Sequence, residues 1–515
     1  MKKFFNLNKY QYILIAILLI GCAVRIFGIV QLPAGLNQDE ASSGYEAFSV
    51  LNYGIDRNGT ENPVHLISWG SGQNMAYSWI CMPFVAVMGL NVLSLRLPMA
   101  IVGCISIYVF YLLFKELWDE KSALWSALFF SLFPWHIMKS RWGLESNLFP
   151  DLVLWACLFL VYYLKNQKPV NLYITVLILS FSLYSYGTAY MFMPFFVGGV
   201  WIYMLLKKRI SVKHFILSAL LFFVTALPIL MFVLINITDL SAFKILGFTV
   251  PKMYQQRFST VTGTGENFFI GCFENLKELF SMFIRQGDGL PWNGFKNYGL
   301  CYLLFIPLIP LGIVINLFER KKYSFVMNWW FVCAVAVAMV TEINVNRINI
   351  IFIPVAYYIA VSLGFIAKQH KALNILLICV CFCLFGLFGK NYIEQNEILK
   401  DEFFYSYEDA LTLAESYETD KIYIDVRINQ PYMLTLFYTG CSPHTYLETR
   451  VVKNPYAAFE RIESFDRYYF RLPEEINSDE DAAFIVQNDY CSIFDPNKFE
   501  ITSFYNYSVA VPKNL

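Results

Sequence analysis

The sequence predicts an α-helical polytopic membrane protein with a small α/β domain at its C-terminal end. Of its 515 residues, 57% are hydrophobic and 15% are charged, and the mean hydropathy is +0.48. A soluble domain has roughly a quarter of its residues charged, so this composition is typical of a chain that crosses a membrane many times. Apolar runs long enough to span a bilayer recur up to residue 389, and the residues beyond are polar.

Eleven apolar runs have about the length of a transmembrane helix. They lie at 11–30, 96–114, 122–138, 148–164, 171–187, 189–206, 215–236, 300–318, 324–340, 349–367 and 372–389. A further run at 75–90 is short for a span, and the basic residues decide its assignment. If it lies in the interface, the Lys- and Arg-rich connections are all cytoplasmic, as the positive-inside rule requires. We therefore predict about eleven spans, a cytoplasmic N-terminus and interfacial helices in the first outer loop.

The predicted spans divide the chain into a transmembrane domain, 1–389, and an extracytoplasmic domain, 390–515. Two long outer loops, 31–95 and 237–299, belong to the first, and the second loop contains an amphipathic segment at 266–286. The C-terminal residues alternate a helical pattern, "SYEDALTLAESYE", with strand-like runs such as "KIYIDV", "AAFIV" and "YSVAV". That alternation indicates a small α/β domain.

Several classes of function find no support in the sequence. The formal net charge is zero, which does not favour nucleic-acid binding. The chain has no Walker loop, GxGxxG motif or internal repeat, and no cysteine or histidine spacing typical of zinc sites. Cys441 and Cys491 lie in the polar C-terminal residues, and the sequence leaves open whether they pair.

Five charged residues lie at the predicted outer face, close to the ends of spans. They are Asp39 and Glu40 after the first span, Arg141 and Glu145 after the third, and Arg347 before the tenth. Ionised side chains cost roughly 2.5–3.5 kcal/mol each at a bilayer centre, so charges this close to the membrane need a reason. An arginine fork matches phosphate oxygens, and a carboxylate can deprotonate an attacking hydroxyl or amine. We therefore expect these residues around one cavity that binds a lipid-linked anion.

Four of these residues also have interpretations without catalysis. Glu40 can cap an interfacial helix that begins near Ala41, and Glu145 can be a solvated or helix-capping acid. Arg141 and Arg347 can be interface anchors whose side chains extend to lipid headgroups. The sequence alone leaves these alternatives open.

Three segments of the chain resemble a known class of enzymes. They are "LNQDEASSGYEAFSVLNYGIDRNG", "WGSGQNMAYSWICMPFVAVMGLNVLSLRLPMAIVG" and "FFSLFPWHIMKSRWGLESNLFP". Together they resemble the GT-C glycosyltransferases, in the bacterial branch of the protein O-mannosyltransferases and aminoarabinose transferases (glycosyltransferase family 39 and relatives). The resemblance covers roughly residues 10 to 165 and continues more weakly in "NRINIIFIP".

The resemblance implies an inverting glycosyltransferase that takes a sugar from a polyprenyl-phosphate carrier and passes it to an acceptor outside the membrane. Carried over by residue, Asp39 matches the catalytic base, with Glu40 beside it as a supporting acid. Arg141 and Glu145 match charges of the second outer loop, and Arg347 matches a ligand of the carrier phosphate. We expect Arg347 and Arg141 to hold the donor phosphate, and Glu145 to be a second supporting acid that orients donor, acceptor or an ion. The chain departs from the aminoarabinose enzymes in having Glu145 four residues after Arg141 rather than an Asp at the expected spacing.

Two other classes remain as alternatives to this interpretation. A multi-span transporter or lipid flippase would use its acids for ion coupling, and a non-catalytic cell-envelope protein would act through its C-terminal domain. Among enzymes, the sequence does not identify the sugar or the acceptor, which is a protein, a lipid or a cell-wall glycan. No dense acidic cluster demands a cation, although Asp39 and Glu145 could share Mg²⁺ or Mn²⁺. The excess of Lys over Arg and the lack of a eukaryotic retention signal favour a bacterial plasma membrane.

Overall fold

The computed structural model describes residues 8–70, 72–238, 240–255, 267–295 and 297–514. Its helices are α1 (Lys9–Ile26), α2 (Gln38–Tyr53), α3 (Ala76–Met88), α4 (Val92–Leu117), α5 (Glu120–Ser131), α6 (Pro134–Ser140), α7 (Glu145–Asn166), α8 (Pro169–Ser182), α9 (Ala189–Leu206), α10 (Val212–Ile237), α11 (Phe268–Arg285), α12 (Leu308–Glu319), α13 (Phe325–Val340), α14 (Phe352–Gln369), α15 (Lys371–Glu402), α16 (Tyr407–Ser416), α17 (Pro431–Thr439) and α18 (Pro443–Thr449). The strands are β1 (His65–Leu66), β2 (Gln73–Asn74), β3 (Phe243–Ile245), β4 (Phe248–Val250), β5 (Lys421–Ile424), β6 (Val451–Val452), β7 (Ile462–Phe465), β8 (Tyr468–Tyr469), β9 (Ala482–Gln487), β10 (Phe499–Ser503) and β11 (Tyr507–Pro512).

Every predicted span overlaps a helix of the structure, although the span 300–318 begins eight residues before α12, and the predicted helical fold class is confirmed. Within the described ranges, seven helices are long and apolar enough to cross a membrane, and four apolar helices are shorter. The predicted span 122–138 is divided into α5 and α6, because a residue before proline disfavours helical geometry and Pro134 follows Phe133. The chain is a multi-pass membrane protein, and its number of crossings and its orientation stay predictions.

The connections of the predicted bundle differ from expectation in two places. The predicted interfacial run 75–90 forms α3, but α2 begins at Gln38, three residues before the expected start near Ala41. The last predicted span, 372–389, continues without a break as α15 to Glu402. Its polar extension, 390–402, contains three Glu and two Lys, which are good helix formers, so the helix can continue beyond its apolar part.

The residues pack into two compact units. The first comprises Met1–Ile29, Arg96–Ile229 and Phe258–Gln395, and the second comprises Val30–Leu95, Leu230–Arg257 and Asn396–Leu515. Residues 31–95, the predicted first outer loop, are therefore part of the same compact unit as the C-terminal residues. The predicted domains, 1–389 and 390–515, stay a prediction based on composition, whereas these units reflect packing.

In the first unit, α14 is the central helix. All residues from Phe352 to Gly364 are buried, and α14 packs against α12 and α5. The contact with α12 is close because Gly312 presents no side chain: a Cβ there would lie inside contact distance of the Tyr358 carbonyl. Small residues allow this approach between helices in membranes, where dispersion contacts rather than water exclusion hold helices together.

The second unit contains a seven-stranded mixed sheet in the order β10-β11-β9-β5-β8-β7-β6. Strand β5 is parallel to both of its neighbours, and the remaining pairs are antiparallel. The predicted strands "KIYIDV", "AAFIV" and "YSVAV" are β5, β9 and β11, and the predicted helical pattern is α16. A hydrophobic core that packs against this sheet includes Tyr423, Phe484, Phe494 and Phe499. The predicted α/β fold of the C-terminal residues is confirmed.

The Gly312 contact can be tested by adding one methyl group. Gly312→Ala should destabilise the protein by about 1–3 kcal/mol, because the new Cβ forces α12 away from the α14 backbone. Alanine is otherwise better than glycine inside a helix by about 1 kcal/mol. The measurement is the unfolding temperature of the purified protein in detergent.

Gly386→Ala on α15 is the matched control, since no atom lies within 4 Å of the position where its Cβ would be. We expect an unfolding temperature equal to or above that of the wild type. Equal effects of the two substitutions would contradict the close α12–α14 contact.

Candidate active site

The predicted acid pair lies in the first turn of α2, in the second compact unit. Asn37 caps this helix, its side-chain oxygen accepting the Asp39 N–H at 2.9 Å. The Glu40 carboxylate accepts the Asn37 N–H at 3.4 Å, which completes a capping box. Glu40 is fully buried, whereas Asp39 is half-buried. The structure therefore gives Glu40 the capping role left open by the sequence.

The segment before α2 is tied to residues that follow the last apolar run. The Ala34 N–H donates to the Asn396 side chain at 2.8 Å, and the Leu36 N–H donates to the Phe403 carbonyl at 2.6 Å. Gly35 has φ +82° and lies directly against the backbone at Phe403, where a side chain would collide. These contacts fix the chain just before the acid pair.

A buried ion pair lies beneath α2. Arg57 Nη1 is 3.3 Å from the Glu46 carboxylate, and both side chains are almost completely excluded from solvent. The Arg57 N–H also donates to Glu46 at 3.1 Å, and the guanidinium lies 4.8 Å from the centre of the Trp69 ring. A further contact at 2.7 Å joins Arg57 to the sulfur of Met433 on α17. One guanidinium thus joins α2, the residues that follow it and helix α17 of the same unit.

A chain of hydrogen bonds leads from Arg57 towards Asp39. Arg57 donates to the hydroxyls of Ser42 at 2.8 Å and Ser68 at 2.9 Å. The Ser42 hydroxyl donates to the Gln73 side-chain oxygen at 2.7 Å. The Gln73 amide in turn donates to the Asp39 carbonyl at 3.3 Å. The position of the Asp39 backbone therefore depends on a buried cation that the sequence did not mark as functional.

The acids around Arg57 are buried strongly enough to change their ionisation. Burial raises the pKa of Glu46 and of Asp56 above the usual carboxyl range, while the Arg57 guanidinium acts in the opposite direction on both. The Asp56 carboxylate also accepts the N–H groups of Asn58 at 2.9 Å and Thr60 at 2.8 Å. Arg57 is thus the cation that makes a doubly acidic buried region tolerable.

Arg141 and Glu145 lie in the first compact unit, on either side of the turn between α6 and α7. The Arg141 guanidinium is buried and donates to the carbonyls of Val24 at 2.6 Å, Phe27 at 2.9 Å and Gly28 at 2.8 Å. It therefore caps the C-terminal end of α1, where a cation is favoured by the helix dipole. Glu145 is the first residue of α7, where the dipole favours an anion.

A buried charge cluster below this turn was missed by the sequence analysis. Arg25 Nη2 lies 2.6 Å from His136 Nδ1, and His136 Nε2 lies 3.2 Å from Asp151. Because arginine only donates, Nδ1 must accept, and Nε2 therefore carries the hydrogen donated to Asp151. Lys139 forms an ion pair with the other Asp151 oxygen and donates to the Asn147 carbonyl at 2.8 Å. The cluster joins α1, α6 and α7, and ionisable residues inside apolar runs were the signal that could have revealed it.

Arg347 lies in the turn between α13 and α14. Its guanidinium is paired with Glu342, and about a third of the side chain is exposed. The Asp288 carboxylate accepts the Val345 N–H at 2.9 Å, two residues before Arg347, and the side-chain amide of Asn293 at 2.9 Å. Asp288 therefore positions the turn that carries Arg347, a role the sequence did not indicate.

The structure brings the Arg347 turn to the start of α7. The Asn349 side-chain amide donates to the Ser146 carbonyl at 2.5 Å, which links the residues next to Arg347 and Glu145. Asp39 and Glu40 belong to the other compact unit. The predicted convergence of all five charges on one cavity stays a prediction.

No side-chain arrangement in the described ranges identifies a metal centre. Groups of three or more His, Cys, Asp or Glu side chains able to hold a metal ion are absent from those ranges. Cys441 and Cys491 are both free thiols in the structure. A cation shared by Asp39 and Glu145 stays a hypothesis from the sequence.

Comparison with solved structures shows which fold this is. ArnT from Cupriavidus metallidurans, in a crystal structure bound to undecaprenyl phosphate, is similar with a TM-score of 0.58 and 11% identity over 97% of each chain. The oligosaccharyltransferase of Archaeoglobus fulgidus, in its apo form, is similar with a TM-score of 0.51 and 13% identity. That match covers 85% of this chain but 64% of the archaeal one, so the chain spans less than two thirds of the archaeal enzyme.

The sequence comparison gives a second, local match. The model of the dolichyl-phosphate-mannose-protein mannosyltransferase family matches residues 73–232, and no curated protein sequence matches the chain. The chain therefore has the GT-C fold of membrane glycosyltransferases, and the predicted resemblance is confirmed. Within that class it is similar to the mannosyltransferase family over residues 73–232 and to ArnT along almost its full length.

The Arg57 pair gives a stability prediction. Arg57→Met should destabilise the protein by about 3–5 kcal/mol, because it leaves the Glu46 carboxylate buried without its cation. The double variant Arg57→Met/Glu46→Leu removes both charges and should recover part of that loss. Unfolding of the purified variants in detergent measures both effects.

The matched control is Lys244→Met, which breaks the exposed Lys244–Glu61 pair of the same unit. Exposed pairs contribute little because water and salt screen them, so its unfolding should resemble that of the wild type. If Arg57→Met unfolds like this control, the buried pair does not support α2 as described.

Proposed function

We propose that this chain is an inverting glycosyltransferase that moves a sugar from a polyprenyl-phosphate donor to an acceptor at the extracytoplasmic face of a bacterial plasma membrane. The observation that carries the proposal is the ArnT-like fold over 97% of the chain, combined with an acid pair fixed in the first turn of α2. The partners are the lipid-linked donor, membrane lipids and an acceptor that is a protein, a lipid or a glycan. Both comparisons match glycosyltransferases and give no support to a transporter or flippase.

The orientation follows from the distribution of positive charge. A cytoplasmic N-terminus places the Lys- and Arg-rich connections inside and the residues after 390 outside. Asp39 and Arg347 both lie on connections that this orientation assigns to the outside. The reaction therefore takes place where a lipid carrier presents its headgroup.

In the proposed reaction, the acceptor hydroxyl or amine attacks the anomeric carbon on the face opposite the phosphate. Its proton passes to the Asp39 carboxylate as the new bond forms, and the sugar–phosphate C–O bond breaks with both electrons going to the phosphate oxygen. Polyprenyl phosphate leaves and the anomeric configuration is inverted. Asp39 is our choice for this step because its side chain is half-buried, whereas Glu40 is fully buried in the capping box.

The two arginines receive different roles. Arg347 is our candidate ligand of the donor phosphate, since its partner Glu342 is exposed and a surface ion pair is easily exchanged. Arg141 donates three hydrogen bonds to carbonyls at the end of α1, so its proposed contribution is to hold α1 and to add positive charge. Glu145 is proposed to orient donor, acceptor or an ion from the start of α7.

The central test compares the two neighbouring acids. Asp39→Asn keeps the size of the side chain but removes the basic oxygen, so transfer should fall by about 10²- to 10⁴-fold. Glu40→Gln keeps an oxygen that can accept the Asn37 N–H, and losing a charge at a helix end costs only about 0.3–1 kcal/mol. Transfer rates from a radiolabelled polyprenyl-phosphate sugar measure both effects.

Both variants should show wild-type unfolding and donor binding, which separates catalysis from folding. If Glu40→Gln is inactive and Asp39→Asn is active, the base is Glu40 and the assignment of Asp39 is wrong. Full activity in both variants would remove the main support for the proposed enzyme.

The donor-phosphate role predicts a separate effect at Arg347. Arg347→Lys keeps the charge but loses the planar fork, a loss of about 1–3 kcal/mol that should appear as weaker donor binding. Asp288→Ala should weaken donor binding in the same way, because the Val345 N–H loses its acceptor and the turn moves. The apparent donor affinity and the maximal rate are measured separately for each variant.

Glu342→Gln is the control, since it removes the partner of Arg347 without touching the guanidinium. Donor binding should not weaken in this variant. If the double variant Arg347→Lys/Asp288→Ala loses the sum of the two single effects, Asp288 does not act through Arg347.

A further inference from the structure

Helix α11, Phe268–Arg285, has one side that packs against its own unit. Cys272, Leu279, Met282 and Phe283 are buried along this side. The Asn275 side chain donates to the Met339 carbonyl at the end of α13 at 2.9 Å. The buried side therefore attaches α11 to an apolar helix of the transmembrane region.

A second side of α11 is apolar but exposed. Phe269, Phe273, Phe280 and Ile284 are spaced by four, seven and four residues, which places them in one stripe along the helix. Their exposed fractions are 82%, 68%, 65% and 65%. Three exposed aromatic rings and an isoleucine in one stripe are unfavourable in water and mark a contact surface.

The third side carries the charges. Glu274, Lys277, Glu278 and Arg285 lie on this side, and Glu278 is ion-paired with Arg285. The circumference of α11 is thus divided into a buried side, an exposed apolar stripe next to it, and a side that carries the charges together with the exposed Ile270. A helix that met only water beyond its buried side would not separate its apolar and charged residues in this way.

We propose that α11 lies in the plane of the membrane interface, with the stripe of Phe269, Phe273, Phe280 and Ile284 in contact with phospholipid chains. A lipid fits this surface because the stripe is wholly apolar, and the charges are confined to the side where headgroups and water would lie. The buried side rests on α13, which is itself one of the shorter apolar helices. The stripe therefore lies next to a helix, α13, that coincides with the predicted span 324–340.

The position of α11 gives this contact a structural consequence. The helix ends at Arg285, and Gln286, directly after it, accepts the N–H groups of Leu300 at 3.3 Å and Cys301 at 2.9 Å. Asp288 follows and holds the Val345 N–H. A helix held by lipid is thus followed directly by a loop, Gln286–Asp288, that is hydrogen-bonded to the chain before α12 and to the turn before α14.

The proposal is tested by photo-cross-linking two adjacent positions in the full chain. Phe273→p-benzoylphenylalanine places a photoreactive group in the stripe, and Glu274→p-benzoylphenylalanine places it on the charged side. Each variant is reconstituted in nanodiscs of phosphatidylethanolamine and phosphatidylglycerol, irradiated and analysed by mass spectrometry. We expect phospholipid adducts at position 273 in severalfold excess over position 274.

Adducts of position 273 with another part of the chain or with a second protein molecule would overturn the proposal, as would equal lipid adducts at the two positions. Phe280→p-benzoylphenylalanine tests the same stripe if the first variant fails to fold. The measurement does not use catalytic activity, so its outcome is independent of the proposed reaction.

Discussion

The buried pair of Arg57 and Glu46 is the interaction on which the position of the acid pair depends. A guanidinium and a carboxylate with almost no solvent contact are unfavourable separately and stable only together with their hydrogen bonds. The Arg57 backbone N–H donates to Glu46, and its guanidinium donates to the hydroxyls of Ser42 and Ser68. If any of these three acceptors moved away, a buried donor of Arg57 would be left without a hydrogen bond. This requirement makes the geometry around α2 specific, which apolar packing alone would leave adjustable. The chain continues through Gln73 to the Asp39 carbonyl, so the constraint reaches the proposed base.

The first compact unit also contains buried charges, and it stabilises them with a chain of ion pairs and hydrogen bonds. Arg25, His136, Asp151 and Lys139 form a continuous chain of charged and polar groups among apolar helices. Each member satisfies its neighbour, and Arg25 also donates to the carbonyls of Ser131 at 3.0 Å and Phe130 at 3.1 Å, near the end of α5. The turn with Arg141 and Glu145 lies between α6 and α7, the two helices that this cluster joins. The acid pair of α2 and the turn with Arg141 and Glu145 are therefore both next to buried polar networks, which is how a site retains its geometry.

The sequence could predict what is encoded locally, and it failed where distant residues decide. Apolar length predicted the helices, alternation predicted β5, β9 and β11, and the capping role of Glu40 was one of two interpretations. The predicted start of α2 was wrong by three residues because Asn37 is the N-cap. Asn37, Asp39 and Glu40 are all polar residues that could cap a helix, and the sequence alone did not select one of them. Arg57 was part of a motif used for the resemblance, but nothing local shows that it meets Met433. The same holds for Asp288 and Val345, which are joined only by the folded chain.

The acid pair at the start of α2 shows how one helix end can serve two purposes. The positive end of a helix stabilises negative charge in its first turn, which permits two adjacent carboxylates where one would otherwise repel the other. Glu40 turns back to the Asn37 N–H and is buried by doing so, whereas Asp39 remains half-buried. A general base must carry the carboxylate form before it can accept a proton from an attacking acceptor. A helix start is therefore a suitable support for the proposed general base, because the helix dipole supplies a positive field at the carboxylate.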